Sequence, residues 1–102
     1  MIRNFRTIFG EKAHLTDREW DHIVHRHPEI KKYGRRIHEI LALPDLVKIS
    51  KRDPDVHLYY RFYNDIFNGK YLLVVVNHSR RKVVTMFITD KIKVGEVLWQ
   101  KK

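Results

Sequence analysis

The chain contains no cysteine. Disulfides, thiolate metal sites and cysteine nucleophiles are thereby excluded, and a reducing, cytoplasmic location is the consistent expectation. No apolar run reaches the roughly 18 residues that a membrane span needs. The opening residues Met-Ile-Arg-Asn-Phe-Arg lack the apolar core of a signal peptide. No repeat, linker or low-complexity segment interrupts the pattern. Acidic side chains are scarce: 12 Asp and Glu stand against 21 Lys and Arg, a formal net charge of +9 at pH 7. Such an excess creates a positive field that attracts polyanions. Nucleic acid is the commonest such partner and an acidic protein the next. With 102 residues, 43 % of them hydrophobic, the chain suits one folded domain over 1–102 with one core.

What is present is organised around residues 16–29. Thr16 is a good N-cap, and Glu19 three residues on completes a capping box. Asp17 and Glu19 place acid at the positive end of the helix dipole. Trp20, Ile23, Val24 and His27 follow the spacing of a buried helical stripe. Pro28 ends the helix near His27, because the residue before proline is pushed out of the α region. His22 and Arg26 are four apart and share a second, polar face. A helix that packs on one side and presents histidine and arginine on another furnishes half of an active site.

Residues 2–12 read as a short edge strand or arm with a turn at Gly10. A first helix over 16–27 and a second over 29–43 follow. In the second, Ile30, Tyr33, Ile37, Ile40 and Leu41 lie along one face, Gly34 is a weak spot, and Leu43-Pro44-Asp45 is the stop. From Asp45 the period changes to two. Strands are expected over 46–49, 56–63, 71–76 and 82–89. Turns are expected over 51–55 and 77–81, and a loop over 64–69 closes on Asn-Gly, a hairpin signal. The strand over 71–76 is apolar throughout and reads as buried on both faces. Residues 90–96 form a polar connection, and Val97-Leu98-Trp99 an apolar patch suited to a homodimer contact. The expected architecture is α+β: two N-terminal helices packed on a four-stranded antiparallel sheet.

Alternation along the strands sorts the side chains. Val84, Met86 and Ile88 read as core. Tyr59, Arg61, Thr85 and Thr89 read as the face away from it. An open sheet face with tyrosine, arginine and threonine, framed by histidine and lysine, suits RNA: rings stack on unpaired bases and guanidinium groups pair with phosphate. Lys51, Arg80 and Arg81 add cations in the turns. Cleavage by the ribose 2′-OH needs no metal. It needs a base, an acid and cations to stabilise the transition state, and histidine serves either proton transfer near neutral pH. A metal site is the rival use of His22, His25 and His27. These diverge around a helix, and no H-E-x-x-H pattern is present, so neither metal nor cofactor is expected. His14, His38, His57 and His78 read as ordinary surface residues.

Several of these segments resemble one family. His22-Ile23, Arg26-His27-Pro28-Glu29 and the stretch from Ile37 to Pro44-Asp45 resemble the HI…RHPE…I…PD pattern of small phage-associated nuclease-like domains grouped with barnase, EndoU, the colicin tRNases and RelE. Tyr59-Tyr60-Arg61, Lys70-Tyr71 with Val74-Val75-Val76, and Thr85 before Phe87-Ile88-Thr89-Asp90 are similar to its sheet strands, so the resemblance runs over residues 14–99. It implies a metal-independent endoribonuclease, often a toxin held by an acidic antitoxin. It puts His22 and His27 forward as acid and base, Arg26 and Arg61 as phosphate ligands, and Thr85 as a hydrogen-bond donor to the scissile phosphate. The alternatives are a non-catalytic nucleic-acid-binding module and a protein-interaction subunit.

Overall fold

Thr16 closes one strand and opens a helix, and this double role sets the course of the chain. In the computed structural model, which describes residues 2–102, the Thr16 hydroxyl accepts a hydrogen bond from the Glu19 N–H at 3.1 Å. The Glu19 carboxylate accepts the Thr16 N–H at 2.9 Å. This is the expected capping box, and it starts helix α1 at Asp17–Arg26. The helix stops at His27, whose N–H still donates to Ile23 O at 2.8 Å while Pro28 follows. Ile23 is buried, and Trp20 and Val24 pack against the core beside it.

The single second helix expected over 29–43 divides in two. Pro28–Arg36 winds as a tight 3₁₀ segment, and only Ile37–Ala42 is α-helical (α2). Gly34 marks a close approach within the 3₁₀ segment: a Cβ there would lie 2.8 Å from Trp20 Cζ2. Glycine at this point lets the segment settle on the indole of α1. Ile30, Tyr33, Ile37, Ile40 and Leu41 are all buried, as their spacing indicates.

Seven strands form one curled, mixed sheet: β1 Ile2–Arg6, β2 Lys12–Thr16, β3 Leu46–Ile49, β4 Val56–Tyr63, β5 Lys70–Asn77, β6 Lys82–Thr89 and β7 Val97–Gln100. Their order is β1-β2-β6-β5-β4-β3-β7. This corrects the expected four-stranded antiparallel sheet with N-terminal helices. The antiparallel meander β3–β6 is there, but the chain begins with a β1–β2 hairpin, and β2 joins β6 in parallel through the single pair His14↔Lys82. At the far edge β7 pairs with β3. The added strands are short and carry little pattern. β2 does alternate, with Ala13 and Leu15 buried, but over only five residues, and β7 leaves Val97 and Leu98 exposed. Trp99 is half-buried, with part of its surface packed against the core.

The sheet is covered on both sides. Its inner face, with Val47, Tyr59, Leu72, Val74 and Met86, packs on the helices. Its outer face buries Leu58, Tyr60 and Leu73 beneath residues 90–96. That segment joins β6 to β7, four positions apart in the sheet, so it must cross about 19 Å at the usual strand spacing. Seven residues reach about 24 Å when extended, so the segment crosses with little slack and bends at Asp90 and at Val94-Gly95. The Lys93 N–H donates to the Tyr60 hydroxyl at 3.0 Å, and Lys48 Nζ donates to Lys93 O at 2.8 Å. None of the described helices is long and apolar enough to cross a membrane.

Candidate functional site

Since β2 pairs with β6 only at Lys82, the rest of the β6 edge is open. Helix α1 leaves β2 directly and lies along that edge, with the 3₁₀ segment beyond it. Between α1 and β6 is a cleft of about 450 Å³. From α1 it is lined by His22, Ile23, Arg26 and His27, and from the sheet by Asn77, Arg80, Lys82, Val84 and Thr85. Its lining therefore holds three permanent cations, two imidazoles and two neutral polar side chains, with no carboxylate among the described residues.

Each residue has a local reason for its place. His22 and Arg26, one helical turn apart, project from the polar face of α1. His27 sits at the helix end, where its ring stacks on Phe87 (centroids 5.3 Å apart, 28° between planes). Its Nδ1 lies 3.9 Å from Glu29 Oε2, so a carboxylate attends the imidazole without a direct hydrogen bond. In the β5–β6 turn the Arg80 N–H donates to Asn77 Oδ1 at 3.1 Å, and Arg81 takes a left-handed conformation (φ 54°). Lys82 is held by Glu19: its Nζ lies 2.6 Å from Oε2. That hydrogen bond, helped by the Thr16 N–H, pushes the Glu19 carboxyl down to about 2 against the opposing effect of burial.

A β-bulge places Thr85. Val75 pairs with Thr85, but Val76 pairs with Val83, so Val84 is the extra residue. It stands 45 % exposed at the cleft while Val83 turns into the core. Strict alternation gives the reverse for these two valines. Val75 packs on the outer-face cluster, and its partner Thr85 shares that face, away from the helix-covered core.

The cleft thus brings together His22, His27, Thr85, Arg26 and Arg80 of the residues singled out from sequence. Arg61 is elsewhere. It lies on the inner-face side of β4, where Nη1 donates to Leu43 O and Nε lies 3.3 Å from Glu39 Oε1, tying the sheet to α2. Tyr59 is only 2 % exposed and packs in the inner core, so its ring offers no stacking surface. Burial pushes its hydroxyl up to about 12. Alternation alone puts both on the open face, because it cannot say which side the helices cover. Lys51 and Arg81 are exposed in turns and do not line the cleft.

Asn77, Lys82 and Val84 were missed. Lys82 had a signal, since it is the first residue of a strand entered from a basic turn. His57 and His78 are more than surface residues: their rings stack at 4.8 Å, and His78 Nδ1 pairs with Glu11 Oε2 at 2.8 Å. No family model, no curated protein and no solved structure matches this chain.

Proposed function

We propose that the chain is a metal-independent endoribonuclease that cuts RNA by attack of a ribose 2′-OH on the adjacent phosphate. The observation that carries this reading is the meeting of His22 and His27 with Arg26, Arg80, Lys82 and Thr85 in one cleft. A phosphodiester there is surrounded by cations, which stabilise the extra charge of the phosphorane-like transition state. One imidazole takes the 2′-OH proton as the O2′–P bond forms. The other gives a proton to the departing 5′-oxygen as the P–O5′ bond breaks, leaving a 2′,3′-cyclic phosphate and a 5′-OH. Thr85 donates to a non-bridging oxygen. The α1 segment resembling the barnase, EndoU, colicin and RelE group is the segment that forms the helical wall, which supports the same reading.

The test is cleavage of a mixed RNA pool in the presence of a chelator by the parent, His22→Ala and His27→Ala, with folding checked by circular dichroism. Cleavage by the parent should fall roughly 100-fold or more in each variant, the usual worth of a positioned acid or base. Rates unchanged in both would remove the histidines from the chemistry. A parent that binds RNA in a salt-sensitive way without cutting it would be a binding module, and one that does neither would point to an acidic protein partner.

A further inference from the structure

Beyond the His27–Pro28 peptide bond the surface changes character. Pro28, Glu29, Lys31, Lys32, Tyr33 and Phe67 line a second, shallower cavity of about 590 Å³. His27 lines the first cleft and Pro28 the second, so consecutive residues of the chain pass from one to the other. Single exposed apolar residues are ordinary, but Phe67 differs in its setting. It is 68 % exposed although both of its flanks are fixed. Ile66 before it is fully buried, and the Gly69 N–H donates to Ile66 O at 2.8 Å. Asp65 is held by a two-pronged contact from Arg36, at 3.0 and 2.6 Å. Phe67 itself takes a left-handed backbone (φ 44°), which bulky residues rarely adopt. The ring is presented by a fixed turn. The amines of Lys31 and Lys32 add two cations against the single carboxylate of Glu29, and Lys32 Nζ lies 5.3 Å from the Tyr33 ring centroid.

We propose that Phe67 is a stacking platform for an unpaired RNA base next to the phosphate held in the cleft, with Lys31 and Lys32 meeting the neighbouring backbone. This rests on the ribonuclease reading and narrows its substrate class to single-stranded RNA. A π-face near a phosphate site, flanked by amines, is the combination that sequence-tolerant binding of single strands uses. A rigid platform adds affinity because little freedom is lost when the base arrives.

The probe is a set of single-stranded 2′-O-methyl RNA oligonucleotides, which lack the attacking hydroxyl, each carrying one 2-aminopurine whose fluorescence is quenched on stacking. The parent should bind the single strands and quench the probe further at one position, and should neither bind the matching duplex as tightly nor change the already low fluorescence of the same base within it. Phe67→Ala should abolish that quench and weaken binding roughly 5- to 100-fold, while Phe67→Tyr restores both. Equal binding and equal quench in Phe67→Ala would overturn the platform and leave the cleft reading intact. Binding to the duplex as tight as to the single strand would overturn the single-strand restriction. A parent that binds none of the oligonucleotides would overturn both readings.

Discussion

Replacing Glu19 with glutamine separates two contributions that this carboxylate makes at once. Oε1 accepts from the Thr16 N–H at 2.9 Å and completes the capping box, and glutamine at the same position keeps an acceptor there. Oε2 holds Lys82 at 2.6 Å through its charge, which glutamine lacks. The fall of the Glu19 carboxyl from 4.5 to about 2 would correspond to ~3.4 kcal/mol at pH 7 if all of it were stability. Lys82 and Glu19 are 38 % and 24 % exposed, so solvent screening reduces the expected loss to about 1 kcal/mol. For a domain of this size that lowers Tm by about 4–8 °C. The sign with pH follows from a folded pKa below the unfolded one. The stabilisation is complete well above 4.5, begins to shrink at about pH 5 and is lost as pH falls toward 2. Urea unfolding of both proteins at pH 7, 5 and 3.5 gives the assay. The gap between parent and Glu19→Gln should be about 1 kcal/mol at the first, slightly smaller at the second and distinctly smaller at the third. A gap that is constant across the three would refute the charge argument. One of about 3 kcal/mol at pH 7 would refute the discount for exposure.

Arg61→Ala should lower stability by about 1–3 kcal/mol in urea titration, because Leu43 O loses its side-chain donor and Glu39 keeps only the Tyr63 hydroxyl; RNA binding should be unchanged, and a selective loss of binding would return Arg61 to the site. Burial, and then the neighbouring His78, holds the His57 pKa below its ordinary value, with Glu11 and Asp55 opposing. The unfolded chain therefore binds that proton more readily, and stability should fall as pH drops below about 6.5; His57→Gln should flatten that part of the unfolding profile, and an unflattened one would mean other groups carry it. Arg26 and Arg80 line the cleft together with Lys82, of which only Lys82 is paired with Glu19, so inorganic phosphate should raise the parent's Tm in a saturable way, and less so in Arg26→Ala; an equal rise in both would place the anion elsewhere.

The sequence reported local structure well where a local cause decides it. The α1 start follows from Thr16 and Glu19, and its end from Pro28. The limits of β4 and β6 match the apolar and aromatic runs between turns. What failed needed knowledge of the far side of the sheet. Leu58, Tyr59 and Tyr60 are consecutive and all buried, because helices cover one face and residues 90–96 the other. Alternation normally marks a wet side, and here neither side is wet at that point. The bulge at Val84 adds a second obstacle, since one inserted residue exchanges the faces of Val83 and Val84 without any mark in a run of valines. The α1 half of the site was legible because its residues are one turn apart on one helix. The β6 half depends on which strand α1 lies against, and that is set by the one-pair junction of β2 with β6.

That junction also explains why the cleft exists. An open strand edge invites pairing with other chains unless something covers it. In this protein the cover is α1, delivered to the β6 edge because Thr16 ends β2 and caps the helix in the same residue. A helix covers an edge less closely than a strand does, since its side chains keep the backbones apart, and the space left between α1 and β6 is the cleft. The residues that fill the gap cannot all be apolar, because the unpaired edge of β6 is polar backbone. Asn77, Lys82 and Thr85 on one wall and His22 and Arg26 on the other suit that requirement. Edge protection alone, however, would be met as well by acids as by bases. The positive charge on both walls, of which Glu19 offsets only Lys82, goes beyond what edge protection requires and is the feature on which the proposed anionic substrate rests.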